Sequence, residues 1–205
     1  MSEATPTRSA ALALREQARA MREGHAFLDE KCLVLAGAML RELRRFDAAR
    51  HVLEALRAAA AASLAAAIER HGLQGLQCQP ALDLATASLA IERASLLGVE
   101  RREARLEAGA ARAPDAVHPT PEAAACRAAF AALLAQLAAI AAMSGNLARL
   151  EREYRRTVRR VRALEDVLIP ETAGTLAAIE ERLEELEREE AQWSRAFLNE
   201  RLAGG

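Results

Sequence analysis

The chain of 205 residues is 52% hydrophobic but only 3% aromatic, and 51 of its residues are alanine. Alanine is the best helix former but adds little volume to a core, so the composition excludes the layered, large-side-chain interior of most compact enzymes. Charged residues make up 28% against ten glycines and six prolines, which favours long amphipathic helices over a disulfide scaffold or disorder, and the net charge of -1 excludes a global field toward nucleic acid or an acidic membrane.

The N-terminal ten residues are polar and lack the apolar core of a signal peptide, so export is not expected. Apolar residues then recur at Leu14, Ala18, Met21, His25, Leu28, Cys32, Leu35, Met39, Leu43, Phe46, Ala49, Leu53, Leu56, Ala60, Leu64 and Ile68. The step of about 3.6 residues predicts one long helix within residues 1–70, roughly 95 Å from Thr7 to Arg70.

From His71 to Pro121 the glycines and prolines break any long helix, so residues 71–121 read as the turning head of a hairpin. Within it, Leu89 to Leu97 and Glu103 to Leu106 read as short strands around Gly98 and Val99, with a short helix as the alternative. Residues 108–121, rich in proline and alanine without periodicity, read as an exposed loop.

Residues 122–205 carry a second seam at Leu147, Leu150, Tyr154, Val158, Val161, Leu164, Leu168, Thr172, Leu176, Ile179, Leu183, Leu186, Glu190, Trp193 and Phe197. The stretch Ala123 to Met143 is alanine-rich and interrupted by Arg127 and Gln136, too weakly apolar to be expected to enter a membrane. Pro170 deletes an amide inside this helix and predicts a bend that helps it wrap its partner, with a hinge as the alternative. The fold class is therefore mainly α: a long antiparallel two-helix coiled-coil hairpin with a small irregular head.

Antiparallel pairing places residues whose numbers sum to roughly 200 opposite one another, to within about a turn. Arg15, Arg19 and Arg22 then oppose Glu181, Glu184 and Glu185. Residues 41–57 and 149–162 hold twelve arginines against five carboxylates, a local balance of +7. This belt, with Arg41, Arg44, Arg45, Arg149, Arg152, Arg155, Arg156, Arg159, Arg160 and Arg162 as its partner-contact residues, reads either as a solvated face or as a surface for acidic partners.

Chemistry is thinly supported. No glycine-rich phosphate cradle accompanies Lys31, the sole lysine, and His25, His51, His71 and His118 have no metal spacing with each other or with Cys32, Cys78 and Cys126. The three scattered cysteines form no disulfide framework and suggest a reducing cytoplasm. Catalysis, cofactor and metal are all expected to be absent.

Fragments at both ends carry a resemblance. Pro6-Thr7-Arg8-Ser9 with Leu12, then Gly24-His25, Leu28 and Lys31, are followed late in the chain by Arg159-Arg160-Val161, Ala163-Leu164-Glu165 and Val167-Leu168-Ile169-Pro170. Leu97-Gly98-Val99 lies between them. In order and spacing these resemble the D subunit of the V-type (archaeal A-type) ATPases, with departures at Cys32, Arg162 and Asp166.

The resemblance implies a non-catalytic central stalk that turns inside a ring of catalytic A and nucleotide-binding B subunits. It also implies a small F subunit at its side and a connector (C/d) joining it to a membrane ring that moves H⁺ or Na⁺. Such a protein is cytoplasmic and peripheral, with no insertion of its own. A non-rotary coiled-coil adaptor fits the periodicity equally, whereas a nucleic-acid-binding hairpin is disfavoured by the lack of stacking aromatics.

Overall fold

The computed structural model describes residues 7–82, 84, 86–107 and 119–203; Pro6 and residues 108–118 of the loop expected at 108–121 lie outside them, and Pro121 already belongs to a helix. The elements run α1 (Arg8–Gln77), β1 (Ser88–Leu96), β2 (Val99–Glu107), α2 (Pro121–Ala163), a π-helical turn (Leu164–Leu168) and α3 (Ile169–Ala203). The fold is mainly α, with two long helical stretches packed against each other and one two-stranded antiparallel sheet. The chain divides into two compact units, the first of Met1–Leu33 with Arg155–Gly205, the second of Val34–Tyr154.

Helix boundaries follow from local chemistry. Thr7 caps α1, its Oγ1 accepting the Ala10 amide at 3.1 Å, which satisfies one of the orphan donors of a helix start. Near its other end, Gly72 has φ 68° and ψ 165°, a break that only glycine adopts freely. Thr120 accepts the Ala124 amide at 3.1 Å ahead of Pro121, the first residue of α2, where a missing amide costs nothing. His71 Nε2 and Thr120 Oγ1, 2.7 Å apart, tie this end of α1 to the start of α2 within the second unit.

The buried apolar residues are mostly small. Ala11, Ala18, Ala38, Ala60 and Ala67 are at most 6% exposed, and among the described residues only Leu35 and Leu150 are large apolar side chains with no exposed surface. This is a thin seam between helices, as the alanine content predicts.

Several seam positions are corrected by the structure. Leu43 is 44% exposed while its neighbour Glu42 is buried, because Glu42 finds three hydrogen-bonding or charged partners described below. Leu168 is 41% exposed and Ile169 is the half-buried residue instead, because the π turn inserts one residue into the helix. Trp193 and Phe197 are exposed, as is Glu190; Glu187 already pairs with Arg8, the first residue of α1, so α3 continues past the turns available to cover it.

Pro170 explains the π turn. An ordinary α-helix would direct the residue 170 amide at the Asp166 carbonyl, and the proline ring clashes there. The chain widens instead, and the Ile169 amide bonds to Leu164 O, five residues back.

By length and composition alone, both long helices contain a stretch apolar enough to cross a membrane, contrary to the expectation from Ala123 to Met143. In α2 that apolarity is carried chiefly by alanine, which buries less apolar area than the leucine or isoleucine of a typical span.

Candidate functional site

The β-hairpin is the part of the second unit that departs from plain helix pairing. Leu97 and Gly98 form its two-residue loop with φ 48° and 84°, the double positive φ that matches strand twist in a tight hairpin. Strand β2 begins at Val99, four residues earlier than the sequence suggests. Its charged residues alternate between faces, which a hydrophobicity pattern does not register.

A two-residue loop makes Leu96 and Val99 a hydrogen-bonded pair, so the pairs Ser95–Glu100 and Arg93–Arg102 turn their main-chain groups outward. That leaves a free edge on β2, and α2 covers it with side chains. Asn146 Oδ1 accepts the Arg102 amide at 2.8 Å, and Asn146 Nδ2 donates to the Arg102 carbonyl at 2.8 Å. One turn on, Arg149 Nε donates to the Glu100 carbonyl at 2.8 Å. Two helix residues thus stand in for a third strand.

The amide of Asn146, 1% exposed, has every hydrogen-bonding position filled. Its second N–H donates to Glu42 Oε1 at 2.9 Å, and its oxygen also accepts from an Arg149 guanidinium N–H at 2.6 Å. Glu42, 2% exposed, further accepts from Arg101 at 3.2 Å and pairs with Arg45 at 3.5 Å. Arg45 also reaches Glu103 at 3.1 Å. A buried polar group stabilises a fold only when its partners are complete, and here they are. At the loop end, Val99 is buried against Leu35, Ala38 and Leu150, with Met39, Leu96 and Tyr154 packed around them.

Charge tunes the same hairpin. Glu100 accepts from Arg102 at 3.2 and 3.0 Å, and that hydrogen bonding, followed by the positive charges of Arg102, Arg93 and Arg149, holds its carboxyl below the usual carboxylate range.

In the first unit, Arg15 pairs with Glu180 at 2.7 Å and Arg8 with Glu187. Antiparallel ion pairs form as expected, but at a sum of 195 rather than 200. Arg19 pairs within its own helix, with Glu23 at 2.9 Å, and Arg22 has no ion pair among the described residues, so neither crosses to α3.

The belt residues divide into two kinds. In the second unit, Arg45 and Arg149 are turned into hairpin docking, whereas Arg41, Arg44 and Arg152 are exposed. In the first unit, Arg155, Arg156, Arg159, Arg160 and Arg162 are all exposed.

The residues quoted for the resemblance are also placed. Thr7 is the cap of α1, Arg8 an ion-pair donor, Lys31 half-buried, Gly98 the hairpin loop and Val99 core. Leu164 and Glu165 open the π turn that Pro170 follows. His25 Nε2 lies 3.8 Å from Glu165 Oε2 within the first unit, so two of these fragments from opposite ends of the sequence meet. A side chain at Gly24 would meet nothing, and nothing in the structure explains that glycine.

Sequence reasoning missed Glu42, Asn146 and Arg102. The one signal was Ser144-Gly145-Asn146, a polar interruption of an alanine run in mid-helix. Among the described residues, no group of three or more histidines, cysteines or carboxylates is arranged to hold a metal ion.

A search of curated proteins finds no match. The sequence model of the family described as the D subunit of ATP synthase matches residues 10–192, which takes in both long helical stretches and the docked hairpin. The chain therefore belongs to the ATP synthase D-subunit family, the stalk component of the V- and A-type rotary ATPases.

Proposed function

We propose that the chain is the central rotor of a V/A-type ATPase, carrying torque between a hexamer of A and B subunits and a membrane ring that moves H⁺ or Na⁺. It performs no catalysis of its own. The small F subunit sits on its side, a connector joins it to the membrane ring, and it works on the cytoplasmic face without entering the bilayer. The observation that carries this reading is the family match over 10–192, which spans every packed element of the fold.

The exposed arginines, Arg41, Arg44, Arg152, Arg156, Arg159, Arg160 and Arg162 among them, are the surface offered to acidic partners. Hydrogen bonding and charge within the hairpin engage Arg45 and Arg149, which serve the fold first.

A rotation assay tests the proposal. Cys78 is exposed and accepts a biotin handle for a bead on an immobilised complex. ATP is expected to turn the bead. A complex that hydrolyses ATP while the handle stays still overturns the rotor reading, and a chain that never co-assembles with the ATPase ring returns it to the adaptor class.

A further inference from the structure

The π turn meets α1 at two points within the first unit, and they are held in different ways. Just past its C-terminal end Thr172, 8% exposed, donates to the Leu168 carbonyl at 2.7 Å, and its Oγ1 lies 3.5 Å from the Met21 sulfur on α1. One turn along α1, His25 Nε2 stops 3.8 Å from Glu165 Oε2, and that nitrogen is buried with no hydrogen-bond partner. The backbone at Glu165 is also open. The Ile169 amide bonds to Leu164 O, and residue 170, whose amide would reach the Glu165 carbonyl in the same π register, is proline. The helix ladder therefore leaves the Glu165 carbonyl without its donor, and the Glu165 side chain, 65% exposed, is not packed in place.

Histidine is the one side chain whose ordinary change of charge falls between about pH 5 and 8. A neutral imidazole gains little from a carboxylate at that separation, whereas a charged one is drawn to it and donates to it, a closure of about 1 Å. The imidazole is 28% exposed and its partner more so, so water reaches the pair and burial does not forbid the charge. The other charges one turn away offset each other: Arg22 and Asp29 on α1, and Arg162 and Asp166 beside Glu165, all exposed. Among the described residues, Glu165 is the one carboxylate within ion-pair reach of His25.

We infer that His25 and Glu165 form a proton-operated clamp on the π turn. With the imidazole neutral, the Leu164 end of the turn is loose against α1; with it charged, the Nε2–H donates to the Glu165 carboxylate and draws that end in. The sign follows from linkage. The added stability is present in mild acid, where the imidazole is charged and the carboxylate still ionised, and is lost as pH rises through neutrality. The clamp stands on this geometry alone. Its use, a stalk whose stiffness answers to the proton concentration around it, rests on the rotor reading above.

The test is amide hydrogen exchange of the full chain at about pH 8 and about pH 5.5, corrected for the intrinsic pH dependence of exchange, in the parent, Glu165→Gln, His25→Gln and the double variant. The amides of residues 164–169 are expected to exchange alike in the parent and Glu165→Gln at the higher pH. At the lower pH they are expected to be about threefold slower in the parent, the size of a weak ion pair. In the His25→Gln background, Glu165→Gln is expected to change nothing at either pH, which excludes the other histidines as the proton acceptor. A parent no slower than Glu165→Gln in mild acid overturns the clamp. So does a difference of equal size at both pH values, which is a purely structural role for Glu165, or one that persists without His25. Failure of the rotor reading is a separate result: a chain that never co-assembles with the ATPase ring leaves these exchange ratios untouched.

Discussion

His25 on α1 and Glu165 in the π turn face each other with 3.8 Å between Nε2 and Oε2, too far for a hydrogen bond. That nitrogen is buried and has no hydrogen-bond partner. An unsatisfied buried polar atom costs about 1–3 kcal/mol, while a pair with an exposed carboxylate returns about 0.2–1 kcal/mol. His25→Leu is therefore expected to raise stability by about 1 kcal/mol, and Glu165→Gln to leave it nearly unchanged. Urea unfolding of the two variants measures both; a destabilised His25→Leu means that the imidazole has a partner the geometry does not show.

Asn146→Ala strips the free edge of β2. It leaves the Arg102 amide and carbonyl and one Glu42 oxygen without their partner. The expected loss is about 2–4 kcal/mol. Hydrogen exchange at the Arg102 amide should accelerate first, ahead of amides deep in α1, because the hairpin undocks before the helices part.

Glu100 gives the hairpin a pH dependence with a definite sign. Its carboxyl is held below the ordinary value of 4.5 by the Arg102 hydrogen bonds, so it stabilises the folded state above that value. The contribution disappears as pH falls through the lowered folded-state value. The melting temperature of the parent is expected to exceed that of Glu100→Gln at neutral pH, with the gap closing in acid below about 4.5. A gap that stays constant down through acid would refute it.

The cysteines should separate by reactivity. Cys78 is exposed, Cys126 is buried, and Cys32 is partly covered. Burial, with the charge of Asp29 behind it, pushes the Cys32 thiol up and away from the reactive thiolate. One fast equivalent of thiol reagent is expected at neutral pH, and peptide mapping should place it on Cys78.

Much of this fold could be read from spacing. The alanine seam, the break at Gly72 and the hairpin at Gly98 each follow from one local rule, namely helical period, positive φ or turn chemistry. Glu42 could not be found that way. A carboxylate is expected outside, and only the convergence of Asn146, Arg101 and Arg45 makes its burial favourable. Leu43 was misplaced for the same reason. The belt was legible as composition, but its division was not, because whether an arginine faces inward depends on a strand edge formed far away in sequence, as for Arg149 and Glu100.

The π turn at Leu164–Leu168 also means that the helix carries one spare residue at this point. Deleting Val167, which is 46% exposed, together with Pro170→Ala to remove the ring clash, would close that turn into ordinary α-helix and leave Thr172 and Ile179 still facing α1. The same deletion at Ala178, beyond the turn, has no slack to draw on and would rotate everything after it by about 100°. Chain length is thus tolerant at one address and unforgiving a few turns later, which circular dichroism and melting of the two deletion variants would separate.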